Sequence, residues 1–236
     1  MLNTNHKTIR MKKIFVKYLI EFIVIVVGIS VSFWFDKYQT SLDNIEREKQ
    51  VIQELFTELD LIDSTVEERE KVFIYDFENL NSIINNNVIF DTFSYEELLI
   101  ASIDYRGFSP SEEIYTSLKY DGGLKYIRNN EIKIAIEALY NGTKYGVIAN
   151  MEDEIVVQRD VLKYIQYNYP ELLIDFEQKN INENEKIKIF TKTVQSDKTL
   201  KSLLSTKHRF MGSKLRFLEN YKKSLAKLKM LISEQY

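Results

Sequence analysis

The alternation of apolar and polar positions changes character along the chain. From Tyr18 to Phe35 the residues are apolar except for Glu21 and the serines Ser30 and Ser32. As a helix this run rises roughly 27 Å, close to the thickness of a bilayer's hydrocarbon layer. Aromatic residues stand at both ends, Phe15 and Tyr18 before it and Trp34, Phe35 and Tyr38 after it. Lys17, Tyr18, Trp34 and Tyr38 are the expected interfacial anchors. The pattern predicts a basic tail over 1–17, a transmembrane helix over 18–35 and one further domain over 36–236. A buried helix of a water-soluble protein and a cleaved signal peptide are the alternatives. Ser30-Val31-Ser32 is a passable cleavage site, but the apolar run continues past it, which favours an uncleaved anchor. No second run of adequate length follows, so a single crossing is expected.

Beyond Leu42 the period becomes helical. Ile45, Ile52, Leu59, Val66, Phe73 and Leu80 recur every seventh position, with Leu55, Ile62 and Ile83 between them. Glu48, Arg69 and Asp76 interrupt this seam, which speaks for a long helix in a bundle rather than a two-stranded coiled coil. The helix should end at Asn85-Asn86-Asn87. Ser94-Tyr-Glu-Glu97 and Ser109-Pro-Ser-Glu112 read as capping boxes, and Asp121-Gly122-Gly123 as a helix stop. Helices are expected from about Asn130 and from about Asn150 to Asn168, ahead of Pro170. Residues 171–206 read as short polar helices and loops. A last helix over about 207–234 carries Met211, Leu215, Leu218, Leu225, Leu228 and Ile232. Val88-Ile89-Phe90 is the one extended piece. The expected fold is all-α: a transmembrane helix continuing into a helical bundle with long antiparallel first and last helices.

Charge adds orientation and pairing. The chain has 236 residues with 32 Lys+Arg against 35 Asp+Glu, but the signs are segregated. Lys7, Arg10, Lys12, Lys13 and Lys17 precede the apolar run, whereas Lys37, Arg47 and Lys49 follow it. That bias predicts the N-terminus in the cytoplasm and the domain outside the cytoplasmic membrane. A 17-residue tail would then be the cytoplasmic part, which speaks against an autonomous sensor kinase. Residues 43–70 hold ten acidic and three basic side chains. Residues 207–232 hold eight basic ones, Lys207 and Lys214 among them, against Glu219. Opposite signs on two long helices predict that they lie side by side, with crosslinking probes at positions 52 and 225 as a test.

Within the anchor, Glu21, Gly28 and Ser32 fall on one stripe. Gly28 and Ser32 make a small-xxx-small pair, so this is the expected packing face for another membrane helix and for a homo-oligomer. Lys17 stands four residues before Glu21 and can pair with it.

Glu21-x6-Gly28-Ile29 with the exit Asp36-Lys37-Tyr38 is similar to a bacterial family of single-pass membrane proteins of unknown function, whose exit is often Asn-Asn-Trp. The charged helix Glu46–Leu59 resembles the family too. So does a second block, Tyr115-Thr-Ser-Leu-Lys-Tyr-Asp-Gly-Gly-Leu124, followed by Ile127-Arg-Asn-Asn and a helix ending at Leu139-Tyr140. The resemblance spans roughly 14–65 and 107–141. It implies a membrane anchor and an all-helical domain, and no activity.

Candidate chemistry is sparse. There is no Cys, and the two histidines are His6 in the tail and His208 between Lys207 and Arg209, where neighbouring cations disfavour its protonated form. No metalloprotease, esterase, P-loop or dinucleotide motif occurs. Glu67-Glu68 and Glu152-Asp153-Glu154 read as solvated faces. Asn141-Gly-Thr143 matches a glycosylation acceptor, which matters only in a eukaryotic secretory route. No catalytic, cofactor or metal residue is therefore assigned. Tyr115, Lys119, Tyr120 and Arg128 form a candidate partner or ligand surface, against the alternative that these tyrosines fill a core with their hydroxyls at its edge. The expectation is a non-enzymatic structural or interaction module that self-associates or binds a membrane or extracytoplasmic protein. Its other contact is the lipid bilayer, and nucleic acid is not expected. The alternatives are a sensor subunit of a membrane complex and a carboxylate-based hydrolase.

Overall fold

The computed structural model describes residues 3–89, 92–174 and 181–236, with side chains from Val16 onward. It is all-helical, and no strand occurs among the described residues. The elements are α1 (Asn3–Ile84), α2 (Tyr95–Ile103), α3 (Glu113–Tyr120), a 3-10 turn (Gly123–Tyr126), α4 (Asn130–Glu137), a π turn (Ala138–Thr143), α5 (Lys144–Asn168), α6 (Glu171–Ile174), α7 (Glu183–Ser196) and α8 (Lys198–Gln235). By internal contacts the chain divides into two units, Met1–Val51 and Ile52–Tyr236.

Among the described residues one helix, α1, is long and apolar enough to cross a membrane, and its most apolar stretch, near the N-terminus, has a mean hydropathy of 2.2. Every side chain from Val16 to Asn44 is exposed. Within the apolar run, Ser30 Oγ donates to the Val26 carbonyl at 2.8 Å and Ser32 Oγ to that of Gly28 at 3.0 Å. Lys17 Nζ lies 3.8 Å from Glu21, the expected i,i+4 pair, and Trp34 stacks on Tyr38 with centroids 5.9 Å apart. The side chains of Lys7, Arg10, Lys12, Lys13 and Phe15 lie outside the described residues.

The second unit buries its apolar seams. Ile52, Leu55, Leu59, Ile62, Val66, Phe73, Leu80 and Ile83 of α1 are all buried. The seam of α8 runs Leu200, Leu204, Lys207, Met211, Lys214, Leu218, Tyr221, Leu225, Leu228, Ile232, in steps of four and three without a break. Such a stripe covers one face of a helix. At one end, α1, α2, α5, α6, α7 and α8 share a core around the fully buried Leu80, Ile83 and Leu98, with Phe190 edge-on to Tyr95 at 5.9 Å.

Local chemistry sets the helix ends. Ser94 forms the expected capping box with Glu97, and its hydroxyl accepts from the Glu97 N–H at 3.1 Å. Asn129, Asn182 and Asp197 cap α4, α7 and α8 through their side chains. Gly122, at φ +70°, takes the left-handed conformation that stops α3 after Asp121.

Four expectations are corrected. The Ser109 box does not form: α3 starts at Glu113 without a side-chain cap from its own N-cap residue. The stretch expected as two helices is one continuous helical run, 130–168, through the π turn. The last helix begins at Lys198 rather than near 207, because Asp197 accepts from the Thr199 and Leu200 N–H groups. Val88 and Ile89 form no strand, and Phe90 lies outside the described residues.

Candidate functional site

The four residues expected to form a surface are placed differently from one another. Tyr115 is 4% exposed and stacks face to face on Tyr140, with centroids 4.0 Å apart and planes 10° from parallel. Lys119, one turn further along α3, holds its ammonium 5.6 Å from the Tyr115 ring. Tyr120 is 84% exposed at the end of α3, and Arg128 is exposed in the segment before α4. In the apolar run over 18–35, Glu21, Gly28 and Ser32 are all exposed, and a Cβ added at Gly28 would meet no atom within 4 Å.

The Tyr115–Tyr140 stack leads inward to Glu58, a fully buried carboxylate of α1. Glu58 accepts from the Ile114 N–H at 2.8 Å, the Tyr115 N–H at 3.0 Å and the Tyr140 hydroxyl at 2.6 Å. A carboxylate from another helix therefore does the capping that the local sequence offers to Ser109, and its charge faces the positive end of the α3 dipole. The π turn carries both Tyr140, which donates to Glu58, and Asn141, whose amide donates to the Tyr115 hydroxyl at 2.9 Å. Burial and the Glu58 charge push the Tyr140 hydroxyl pKa far up, so it stays a donor.

A second polar cluster is built on the α8 seam. Lys214 Nζ lies 2.7 Å from Glu154 Oε2 of α5, with both side chains almost fully buried, and 4.2 Å above the Phe73 ring. Charge proximity joins this pair, since Glu154 Oε2 receives no aligned hydrogen bond. One heptad earlier Lys207, 1% exposed, donates to the Ala101 carbonyl at 2.8 Å and also to that of Asp104, closing the end of α2. Asp76 of α1 accepts from Arg106 Nε at 3.0 Å. His208 stacks on Phe77 at 4.0 Å, and its pKa is lowered by burial rather than by the neighbouring cations invoked from sequence.

Burial pulls the Lys207 ammonium from the usual 10.5 to about 8; Glu154, Asp76 and Asp104 oppose that fall and Lys214 adds to it. The unfolded chain then holds this proton to a higher pH than the folded one. Stability should therefore rise as pH increases from about 8 toward 10, with a slope approaching 1.4 kcal/mol per unit. Above about 10 the buried Tyr95, Tyr140 and Tyr221, whose pKa values are raised, reverse the trend. Urea unfolding of the full chain in mild detergent checks this: the wild-type midpoint should climb between pH 8 and 10, and that of Lys207→Met should not.

Sequence reasoning misses Glu58, Tyr140, Glu154, Lys207 and Lys214. By composition Lys207 and Lys214 belong to a basic surface and Glu154 to a solvated one. The signal available for the lysines is register, since both fall on the four-three steps of the α8 seam. Among the described residues no cluster of three His, Cys, Asp or Glu side chains is placed to hold a metal ion. The depressions found are open to solvent, one of about 660 Å³ between the starts of α2 and α7 and another of about 620 Å³ beside α3. Compared with known proteins, the chain matches no protein-family model, no curated protein and no solved structure.

Proposed function

We propose that the chain is a membrane-anchored helical module that acts by interaction rather than by catalysis. The observation that carries this reading is the contrast in burial. Val16 to Asn44 exposes every side chain, the apolar run over 18–35 included, whereas the second unit covers its own seams. A helix that is apolar all round requires a non-aqueous surrounding, and a bilayer supplies it. The cation bias around the run supports a cytoplasmic N-terminus and a domain outside. Glu58, Asp76 and Glu154 each engage a neighbouring element, which supports a structural use of the buried carboxylates. Glu21, Gly28 and Ser32 remain the face offered to another membrane helix, either a second copy or a partner. The test is sedimentation with membranes: the full-length chain should resist carbonate extraction, and a chain lacking 18–35 should not sediment.

Antiparallel pairing of α1 with α8 belongs to the same reading. Glu70 meets Lys222 at 2.6 Å, and Asp60 and Asp63 meet Lys229 at 2.9 and 2.7 Å. Residue numbers thus rise along α1 as they fall along α8. In that register Leu225 faces a position near 66, so cysteines at 70 and 222, rather than 52 and 225, are the pair that should crosslink. A sensor subunit is the second reading, favoured by α1 itself, which carries both the apolar run and the Glu58 and Asp76 clamps.

A further inference from the structure

A smaller hollow lies where α7 passes the end of α1. It measures about 310 Å³ and is lined by Asn86, Val88, Lys188, Thr191, Lys192 and Gln195. The four residues from α7 follow at steps of three, one and three, which places them on one helix face. Asn86 reaches the hollow from the stop of α1. At φ +54° it takes the left-handed conformation, and the next N–H, of Asn87, donates back to the Ser82 carbonyl at 3.0 Å. Among the described residues no carboxylate and no arginine lines this hollow.

Thr191 is the residue out of pattern. Thr57, Thr65, Thr193 and Thr206 each return the hydroxyl to the carbonyl four residues back. Thr191 does not: it is 8% exposed, and its hydroxyl has no hydrogen-bond partner. A buried hydroxyl left in this way is costly unless something else meets it. Nor does the end of α1 require the lysines. The carbonyls of Asn81, Ser82, Ile83 and Ile84 already accept from the N–H groups of 85–87 or from the Gln195 amide.

We propose that Lys188, Lys192, Thr191 and Asn86 bind a phosphate group, free or as the monoester of a small alcohol. The two ammonium groups supply charge, and the Thr191 hydroxyl and Asn86 amide supply neutral donors. Ammonium groups are point charges that suit a tetrahedral dianion, whereas a planar carboxylate favours the arginine fork that this hollow lacks. Val88 is the apolar wall against which the carbon of an ester would lie. All these residues belong to the second unit, so the inference stands apart from the membrane reading.

The test titrates the full chain, in mild detergent at constant chloride, with inorganic phosphate and separately with glycerol 3-phosphate, and reads binding from phosphorus NMR line widths. Broadening should saturate, weaken several-fold in Lys188→Gln and in Lys192→Gln, and stay unchanged in Lys163→Gln, an exposed lysine of α5 outside the hollow. Thr191→Val keeps charge and shape and should also weaken binding several-fold. Its urea midpoint without phosphate should stay at or above wild type, since the unpaired hydroxyl is gone. Tighter binding of inorganic phosphate would identify the free anion, and tighter binding of glycerol 3-phosphate an ester; either supports the site. No saturable broadening with either probe, an equal loss in Lys163→Gln, or binding untouched by Thr191→Val would overturn it.

Discussion

Replacing Lys214 with Met while Glu154 stays in place should cost about 3–5 kcal/mol of stability, because it leaves a buried carboxylate without its cation. The two side chains are 2% and 1% exposed, so water cannot take over the lost partner without the helices parting. Lys207 would keep part of the compensation through its own attraction to Glu154, and loss of the repulsion from Lys214 should raise the Lys207 pKa. The double variant Lys214→Met/Glu154→Leu should recover most of the loss, since a well-packed apolar pair often equals a buried ion pair. Urea unfolding in mild detergent, followed by helical circular dichroism, measures all three chains. A Lys214→Met midpoint equal to wild type would mean that the pair is solvated.

Glu58→Ala should be comparably damaging, at about 3–5 kcal/mol, through a different cause. It removes one acceptor shared by three donors, the Ile114 and Tyr115 N–H groups and the Tyr140 hydroxyl. A buried donor left unsatisfied costs about 1–3 kcal/mol, and partial rehydration at the α3 terminus keeps the sum below the maximum. Glu58→Gln retains a carbonyl oxygen but turns an N–H toward donors, so it should recover only part of the loss. The effect should also be local: amide exchange at residues 114–116 should accelerate more than in the α8 seam. Unchanged exchange there would show that α3 is capped by something else.

The partners of Lys214 and Glu58 lie far away in sequence, which explains what is legible in the chain and what is not. The apolar run over 18–35, the α1 seam from Ile52 to Ile83, the Ser94 box and the Gly122 stop are local patterns, and each is readable. Glu58 capping α3 is a contact across more than fifty residues, whereas Ser109 offers a local box that the fold leaves unused. Lys207 and Lys214 look like members of a basic face by composition, yet their register puts them in the seam. The π turn is hidden for a related reason. Nothing local in Ala138–Thr143 announces the extra residue per turn, and the bonds of Tyr140 to Glu58 and of Asn141 to Tyr115 accompany it. At the surface site, Tyr115 and Tyr120 are alike in sequence and differ only because one faces the pocket of Glu58 and the other faces water.

An anchor at 18–35 with the helical domain on the far side of the cytoplasmic membrane is tested most directly by single cysteines at two positions. One replaces Tyr120, which is 84% exposed, and the other Lys7 in the tail. With a membrane-impermeant maleimide applied to sealed spheroplasts, Tyr120→Cys should label at once and Lys7→Cys only after the membrane is opened, both on a full-length chain that stays in the membrane pellet. Labelling of Lys7→Cys in sealed spheroplasts with Tyr120→Cys protected, or a shortened chain in the soluble fraction, would contradict it.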